Sequence, residues 1–246
     1  MNGKTETLNG VELYFEVHGS GEPLILLHGF TGCSQDWPAL IPDWSKHFQL
    51  IVPDLRGHGR SSALTGPFRH RDAARDIIAL LDHLGIQTFK GLGVSGGGNV
   101  LLHLATQQPE RVEAMVLVSA TSYFPTQARA IMRKYTDGLT AQDWETLRTR
   151  HPGGDAQIKA LLASTASFAD SYDDMNFTPP YLSTIQARTL IVQGDRDFLY
   201  PVGISVEMAG AIPKSSLWIV PNGGHAPIGG ERWPEFVKAA EGFLRG

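Results

Sequence analysis

Short, unbroken runs of apolar residues recur along this chain and alternate with segments of helical spacing. Residues 23–27 and 50–52 carry no charged side chain, as in parallel strands that are covered on both faces. Between residues 71 and 84 the apolar side chains follow the helical period instead, and Gly85 comes next as a stop signal. A helix is also predicted over about 34–46. Alternating strands and helices predict an α/β fold with a largely parallel sheet.

The alternation is interrupted once, between about residues 122 and 183. This inserted segment has helical patterns and no convincing strand, and the alternation resumes after it. Because about 60 residues make a thin core, we predict one α/β core (1–121 and 184–246) with a helical insertion (122–183). The larger side chains of the inserted segment either line a pocket or form its own core, and the second interpretation is favoured. They include Tyr123, Phe124, Met132, Trp144, Phe168, Met175 and Phe177.

Composition excludes several classes of protein. The 246 residues carry a formal net charge of −4, which gives no basic footprint for nucleic acid or an anionic membrane. A single cysteine, Cys33, excludes an intramolecular disulfide and a cysteine-rich zinc site. The first residues lack an apolar signal-peptide core, and no stretch approaches about 18 apolar residues, which predicts a cytoplasmic protein. The oligomeric state stays open.

Two motifs compete for the glycine-rich segment at residues 91–98. Gly91, Gly93 and Gly96 match the pattern of a dinucleotide-binding turn, in which glycines let the backbone approach a pyrophosphate. That motif belongs to the first strand–helix turn, with an acidic residue at the end of the next strand. Here about four predicted strands precede it, and the next strand ends in Ser119 and Ala120. The dinucleotide interpretation is therefore disfavoured.

The second motif is Gly93-x-Ser95-x-Gly97, between a predicted strand and a predicted helix. A strand that turns abruptly into a helix holds its corner residue in a strained conformation, and small neighbours let the backbones pass. The corner hydroxyl then projects above the sheet, beside the amides of a helix N-terminus. This pattern is typical of a nucleophilic serine.

A serine hydroxyl is a weak nucleophile without a base, so a histidine and an orienting carboxylate are required. With this turn they follow in the order serine, acid, histidine. One of the nine histidines lies after residue 151, and it is His225. Asp195 and Asp197 both follow the strand predicted at 189–192; Asp197 is preferred as the acid, and Asp195 as a turn residue.

An oxyanion needs a second backbone N–H, from the loop after an early strand. The segment 28–32 follows the apolar run at 24–27, and it places the Phe30 N–H as a partner for that of Gly96. His28 precedes the nucleophile in the chain, so we expect it to order this loop rather than act as the base.

Together these segments resemble the α/β-hydrolase superfamily over essentially the whole chain. Segments 28–30, 53–61, 93–97, 194–197 and 224–225 carry the resemblance. It implies an eight-stranded, mostly parallel sheet flanked by helices, and the inserted segment stands where this superfamily carries a helical cap. It also implies Ser95, Asp197 and His225 as the catalytic triad, and the Phe30 and Gly96 amides as the oxyanion hole, with no metal or organic cofactor.

The expected function is that of a carboxylesterase acting on small-molecule esters. Haloalkane dehalogenases and soluble epoxide hydrolases use an aspartate where Ser95 stands, so those activities are disfavoured. A lactonase, a carbon–carbon bond hydrolase, a perhydrolase or an acyltransferase would use the same triad. An alternative of another class is a ligand receptor with slow or no turnover, because fold alone does not prove catalysis.

Overall fold

One eight-stranded sheet forms the centre of the protein in the computed structural model, which describes residues 3–246. The sheet order is β1-β2-β4-β3-β5-β6-β7-β8; β2 runs antiparallel to β1 and β4, and the other neighbours are parallel. This confirms the predicted fold class. The strands are β1 (Gly3–Leu8), β2 (Val11–His18), β3 (Glu22–Leu27), β4 (Phe48–Pro53), β5 (Phe89–Val94), β6 (Val112–Val118), β7 (Arg188–Gly194) and β8 (Ser215–Val220).

Nine α-helices accompany the sheet within residues 3–246. They are α1 (Ile41–Trp44), α2 (His70–His83), α3 (Gly96–Gln107), α4 (Thr126–Met132), α5 (Ala141–Arg150), α6 (Gly154–Phe168), α7 (Pro179–Leu182), α8 (Val202–Ala211) and α9 (Trp233–Arg245).

The helix predicted over 34–46 is wrong. A short 3₁₀ turn at Ser34–Asp36 and the four-residue α1 take its place. Pro38 and Pro42 explain the difference, because each lacks an N–H and its ring excludes it from a helix interior. Pro42 instead lies in the first turn of α1, where no intrahelical donor is needed.

The core lies on both faces of the sheet, and β3 shows why its sequence is apolar without a break. Leu24 and Leu26 pack into one cluster, on the face covered by α1 and α9, whereas Ile25 and Leu27 pack into the cluster on the α2 and α3 face. Successive strand side chains point to opposite faces, so a strand buried on both sides needs apolar residues at every position.

The inserted segment contributes α4 to α7 between two neighbouring strands, β6 and β7. Part of it packs on the main core, including Phe124 and Phe168. Another part forms a small cluster of its own around Leu147, Ile158 and Leu162. The division of the chain into an α/β core and a cap at residues 122–183 stays a prediction.

A buried arginine fixes α4 against the end of α6. The Arg129 guanidinium donates hydrogen bonds to the carbonyl oxygens of Phe124 (2.8 Å), Ala169 (2.8 Å) and Ser171 (2.8 Å). Carbonyl groups at a helix C-terminus lack intrahelical donors and carry partial negative charge, so they suit a buried cation. These hydrogen bonds hold α4 and the end of α6 together.

Candidate active site

Ser95 occupies the sharp turn between β5 and α3. Its backbone has φ 51° and ψ −115°, a conformation that residues other than glycine rarely adopt. The Ser95 N–H donates to the Val118 carbonyl oxygen (2.7 Å), and the Asn99 N–H donates to the Ser95 carbonyl oxygen (3.0 Å). Strain of this kind persists only where the surroundings hold it, and such positions cluster at functional sites.

Two glycines make this turn possible. A Cβ atom at Gly97 would lie 2.2 Å from the Leu27 carbonyl oxygen, and one at Gly93 would lie 2.6 Å from the carbonyl carbon of Gly97. Both contacts are with backbone, which has no room to move in a close-packed interior. The spacing of the glycines around Ser95 therefore reflects the close passage of β3, β5 and the start of α3.

Ser95, His225 and Asp197 form one chain of hydrogen bonds. The Ser95 Oγ lies 2.9 Å from Nε2 of His225, and Nδ1 of His225 lies 2.8 Å from Oδ2 of Asp197. Ser95 follows β5, Asp197 follows β7 and His225 follows β8, so the three loops meet at the carboxyl edge of the sheet. Because a carboxylate only accepts, Nδ1 carries the proton and Nε2 faces the serine as an acceptor.

Hydrogen-bond donors surround the Asp197 side chain and stabilise its ionised form. Oδ1 of Asp197 accepts the N–H groups of Leu199 (2.8 Å) and Tyr200 (3.0 Å), and Oδ2 also accepts Nε2 of Gln193 (2.9 Å). Burial alone would raise the pKa of Asp197, but its hydrogen bond to His225, the charge of that ring and the two backbone N–H groups lower the pKa below its ordinary value.

Asp195 has a different role. Its Oδ1 accepts the Gly223 N–H (3.1 Å), and the side chain is exposed. The contact ties the loop after β7 to the loop after β8. The structure therefore brings Asp197, and not Asp195, to the histidine.

Gly96, which follows Ser95 directly, lies against the backbone of Phe30. A Cβ atom built on Gly96 would be 3.2 Å from the Phe30 nitrogen. Within residues 3–246, neither N–H donates a hydrogen bond to another group of the protein. Two unpaired backbone donors near a serine hydroxyl are groups of the kind that can bind the oxygen anion of a tetrahedral intermediate.

Three buried histidines support the loop that carries Phe30. His28 Nε2 accepts the Leu55 N–H (3.0 Å), and its Nδ1 lies 2.8 Å from the Gly29 carbonyl oxygen. His58 packs against His28 with ring centroids 5.0 Å apart. The expectation that His28 orders the loop agrees with these contacts.

His151, at the end of α5 in the inserted segment, is the third of these histidines. Its Nδ1 accepts the Gly59 N–H (2.9 Å), so Nε2 carries the proton and donates to the Thr31 carbonyl oxygen (3.1 Å). Thr31 has φ 66°, which is rare for a β-branched residue. His151 therefore fastens the inserted segment to the strained residue that follows Phe30.

We expect the protein to lose stability as the pH falls from 7.5 to 5. Burial lowers the pKa of His28, His58 and His151 below the ordinary value of about 6.5. Below pH 6.5 the unfolded chain therefore binds more protons than the folded one, and the free energy of unfolding decreases, by up to about 1.4 kcal/mol per pH unit for each histidine. Urea denaturation at a series of pH values measures this slope.

A His151→Asn variant is the matched control for that slope. The asparagine can still accept the Gly59 N–H but does not titrate, so the stability of the variant should depend less steeply on pH. A wild-type stability that is flat or rises between pH 7.5 and 5 would contradict the assignment.

A cavity of about 240 Å³ opens beside Ser95 and His225. Its wall is mostly apolar and includes Phe30, which follows the oxyanion loop, and Phe198, which is 55% exposed. Of the large side chains named in the inserted segment, Phe124, Met132 and Phe168 line this cavity. Trp144 packs on the small separate cluster, and Met175 and Phe177 are in the main core. Phe124, Met132 and Phe168 thus have both positions, since they line the cavity and also pack in the main core.

Three further observations concern metal binding, the single cysteine and membrane-spanning helices. Within residues 3–246 no cluster of three His, Cys, Asp or Glu side chains could hold a metal ion. Cys33 is buried, and burial raises the pKa of its thiol to about 11. In the same range the helices are too short or too polar to cross a membrane.

Sequence reasoning missed Gln193 and His151, and also His70 and Asn99, which line the cavity. A local signal existed for Gln193, which is a polar residue directly after the apolar run 190–192 at the buried end of β7. The others have no such signal, because their partners are distant in the chain.

Comparison with known proteins agrees with this architecture. A family model described as alpha/beta hydrolase fold matches residues 22–153, more than half of the 246 residues. The pimeloyl-[acyl-carrier protein] methyl ester esterase of Nitrosomonas europaea is 27% identical in a gapped alignment of 254 positions, which covers 88% of this chain and 93% of that one.

Solved structures are similar over nearly their full length. Est816, an N-acyl homoserine lactone degrading enzyme, has a TM-score of 0.81 and 25% identity over 98% of this chain and 100% of that one. The meta-cleavage product hydrolase CumD of Pseudomonas fluorescens IP01 has a TM-score of 0.79 and 22% identity over 99% and 97% of the two chains, a likeness of fold.

Proposed function

The chain belongs to the α/β-hydrolase family, and on that premise we propose that it hydrolyses carboxylic esters of small molecules through an acyl-enzyme on Ser95. The hydrogen-bonded series from Ser95 through His225 to Asp197, with distances of 2.9 and 2.8 Å, carries this proposal. Nucleophile, base and orienting acid within hydrogen-bond reach are what acyl transfer requires.

The proposed reaction has two steps. Ser95 Oγ attacks the ester carbonyl carbon while Nε2 of His225 takes its proton, and Asp197 stabilises the imidazolium. The Phe30 and Gly96 N–H groups bind the oxyanion, and each such donor is typically worth about 3–4 kcal/mol of barrier. The alcohol leaves with the proton from His225. Water, deprotonated by His225, then attacks the acyl-enzyme and releases the acid.

The relatives support a hydrolase acting on an acyl group and leave its substrate open. One is named as a methyl ester esterase and another as a lactone-degrading enzyme, and a lactone is an internal ester. The cavity of about 240 Å³ is small among ligand sites, which favours short acyl chains. The inserted segment, which supplies part of the cavity wall, would act as the cap.

A chain-length series of p-nitrophenyl esters, from acetate to decanoate, tests the proposal. We expect turnover with an optimum at the short end of the series, because the longer chains exceed the closed part of the cavity. Labelling with a fluorophosphonate, followed by mass spectrometry, should place the covalent adduct on the peptide containing Ser95.

Other outcomes of that series point to the other activities. Fast turnover of lactones with slow cleavage of open-chain esters would favour a lactonase. Formation of peracid from a carboxylic acid and hydrogen peroxide, faster than ester hydrolysis, would favour a perhydrolase. A folded protein that cleaves no ester and carries no label contradicts the proposal, and it would turn attention to a carbon–carbon bond hydrolase or a receptor.

A further inference from the structure

A second buried histidine–aspartate pair, His70 and Asp174, lies outside the proposed catalytic series. Nδ1 of His70 is 2.8 Å from Oδ2 of Asp174, and each side chain is 1% exposed. His70 begins α2, whereas Asp174 belongs to the inserted segment. A polar pair buried this deeply is costly unless its atoms are satisfied.

Asp174 is fully engaged and fixes the orientation of the imidazole ring. Its Oδ2 also accepts the His70 N–H (2.8 Å), and Oδ1 accepts the N–H (3.1 Å) and Nε (3.3 Å) of Arg71. A carboxylate is favoured at the N-terminus of a 14-residue helix such as α2. Because Asp174 only accepts, Nδ1 of His70 carries a proton, and in a ring that holds this one proton Nε2 carries a lone pair.

Nε2 of His70 is the unmatched atom of this pair. Among residues 3–246 no group forms a hydrogen bond with it, while His70 lines the same cavity as Ser95 and Gly96. Aromatic rings surround the imidazole, with centroid distances of 5.2 Å to Phe68 and 5.1 Å to Phe168. An acceptor is thus held rigidly in an apolar wall, where a bound ligand can satisfy it.

The position of His70 in the cavity indicates which part of a substrate it meets. His70 is 1% exposed, whereas Phe198, which lines the same cavity, is 55% exposed and marks its mouth. In ester hydrolysis the alcohol must leave through the mouth while the acyl chain stays on Ser95. We therefore expect the acyl chain to lie away from the mouth, where a buried residue of the cavity wall such as His70 can contact it.

We propose that His70 is a substrate-binding residue whose Nε2 accepts a hydrogen bond from a hydroxyl group on the acyl chain, so that the preferred substrates are esters of hydroxy acids. This inference rests on the proposed ester hydrolysis at Ser95. Phe124 and Phe168, which contact the His70 ring and line the cavity, supply apolar surface for the carbon chain on either side of that hydrogen bond.

The test compares esters that differ only in one group of the acyl chain. p-Nitrophenyl hexanoate is measured beside its hydroxyl isomers from C2 to C6, the methoxy analogue of the best isomer, and the matching keto ester. We expect one hydroxyl isomer to exceed hexanoate and its own methoxy analogue in kcat/KM by about tenfold, the value of one good hydrogen bond.

His70→Asn and His70→Gln separate the two ring nitrogens. The asparagine amide can donate to Asp174 in place of Nδ1 but has no atom at Nε2, so the hydroxyl preference should fall to about one. The glutamine amide reaches the Nε2 position and should retain part of it. His83→Asn, an exposed substitution on the same helix, should keep the full preference. Thermal denaturation identifies folded variants, and His70→Asn is the decisive one.

Three results would overturn the inference: equal rates for all acyl chains, an unchanged hydroxyl preference in folded His70→Asn protein, or a keto ester that outranks every hydroxyl isomer. Calorimetry of the same compounds as methyl esters with Ser95→Ala separates this inference from ester hydrolysis itself. Tighter binding of the hydroxylated ester that depends on His70 supports the inference even where the wild type cleaves no ester. Equal binding in a protein that does cleave esters overturns the inference alone.

Discussion

Replacing Ser95 with alanine is expected to lower kcat for ester hydrolysis by about 10⁴- to 10⁶-fold. The substitution removes the attacking Oγ and the 2.9 Å contact with Nε2 of His225, while the base, the acid and the two amides remain. Members of such a group act as a unit, so loss of the nucleophile alone abolishes nearly all of its contribution. The measurement is kcat for the best p-nitrophenyl ester, in wild type and variant purified in parallel.

The fold should survive this change. Alanine keeps the Cβ atom at φ 51°, so the turn carries the same backbone strain as before. Near-identical melting curves for the two proteins are the control. A Ser95→Ala protein that retains a tenth of wild-type turnover, with contaminating esterase excluded, is incompatible with Ser95 as the nucleophile.

Asp197→Asn should reduce kcat by about 10⁴-fold, the effect known for the orienting aspartate of a serine triad. The amide can present an N–H to Nδ1 of His225, which favours the wrong tautomer and leaves Nε2 protonated against Ser95. The imidazolium formed during attack also loses its counter-charge. The change is measured as kcat at the pH optimum of each variant.

Asp195→Asn is the matched control, two residues away in the same loop. Its side-chain oxygen can still accept the Gly223 N–H, so activity should fall by less than about tenfold. Comparable losses in the two variants would mean that the loop, and not the contact with His225, accounts for the effect.

The part of the site that local pattern encodes could be predicted from the sequence. Gly93, Ser95 and Gly97 lie within one turn, and their spacing follows from backbone clearance that any such turn needs. His225 could be placed because the order of the three residues along the chain restricts the choice to one histidine. The catalytic roles of these residues remain predictions until the substitutions are made.

Other elements could not be predicted, for physical reasons. The strand β1 has no apolar run, because it lies at the edge of the sheet and pairs with β2 alone. Helical spacing at 34–46 was overridden by Pro38 and Pro42. The His70–Asp174 pair joins residues 104 positions apart, and no periodicity relates positions at such a distance.

Assembly of the site depends on the order in which the strands are made. Ser95 follows β5, but its proposed base follows β8 and lies 130 residues further along the chain. At about 5–20 residues per second, a ribosome needs roughly 6 to 26 seconds to cover that distance. A nascent chain therefore carries the serine and both amides for that time without a group to take the proton. A chain that ends before β8 lacks His225, so we expect it not to hydrolyse esters even where it binds them.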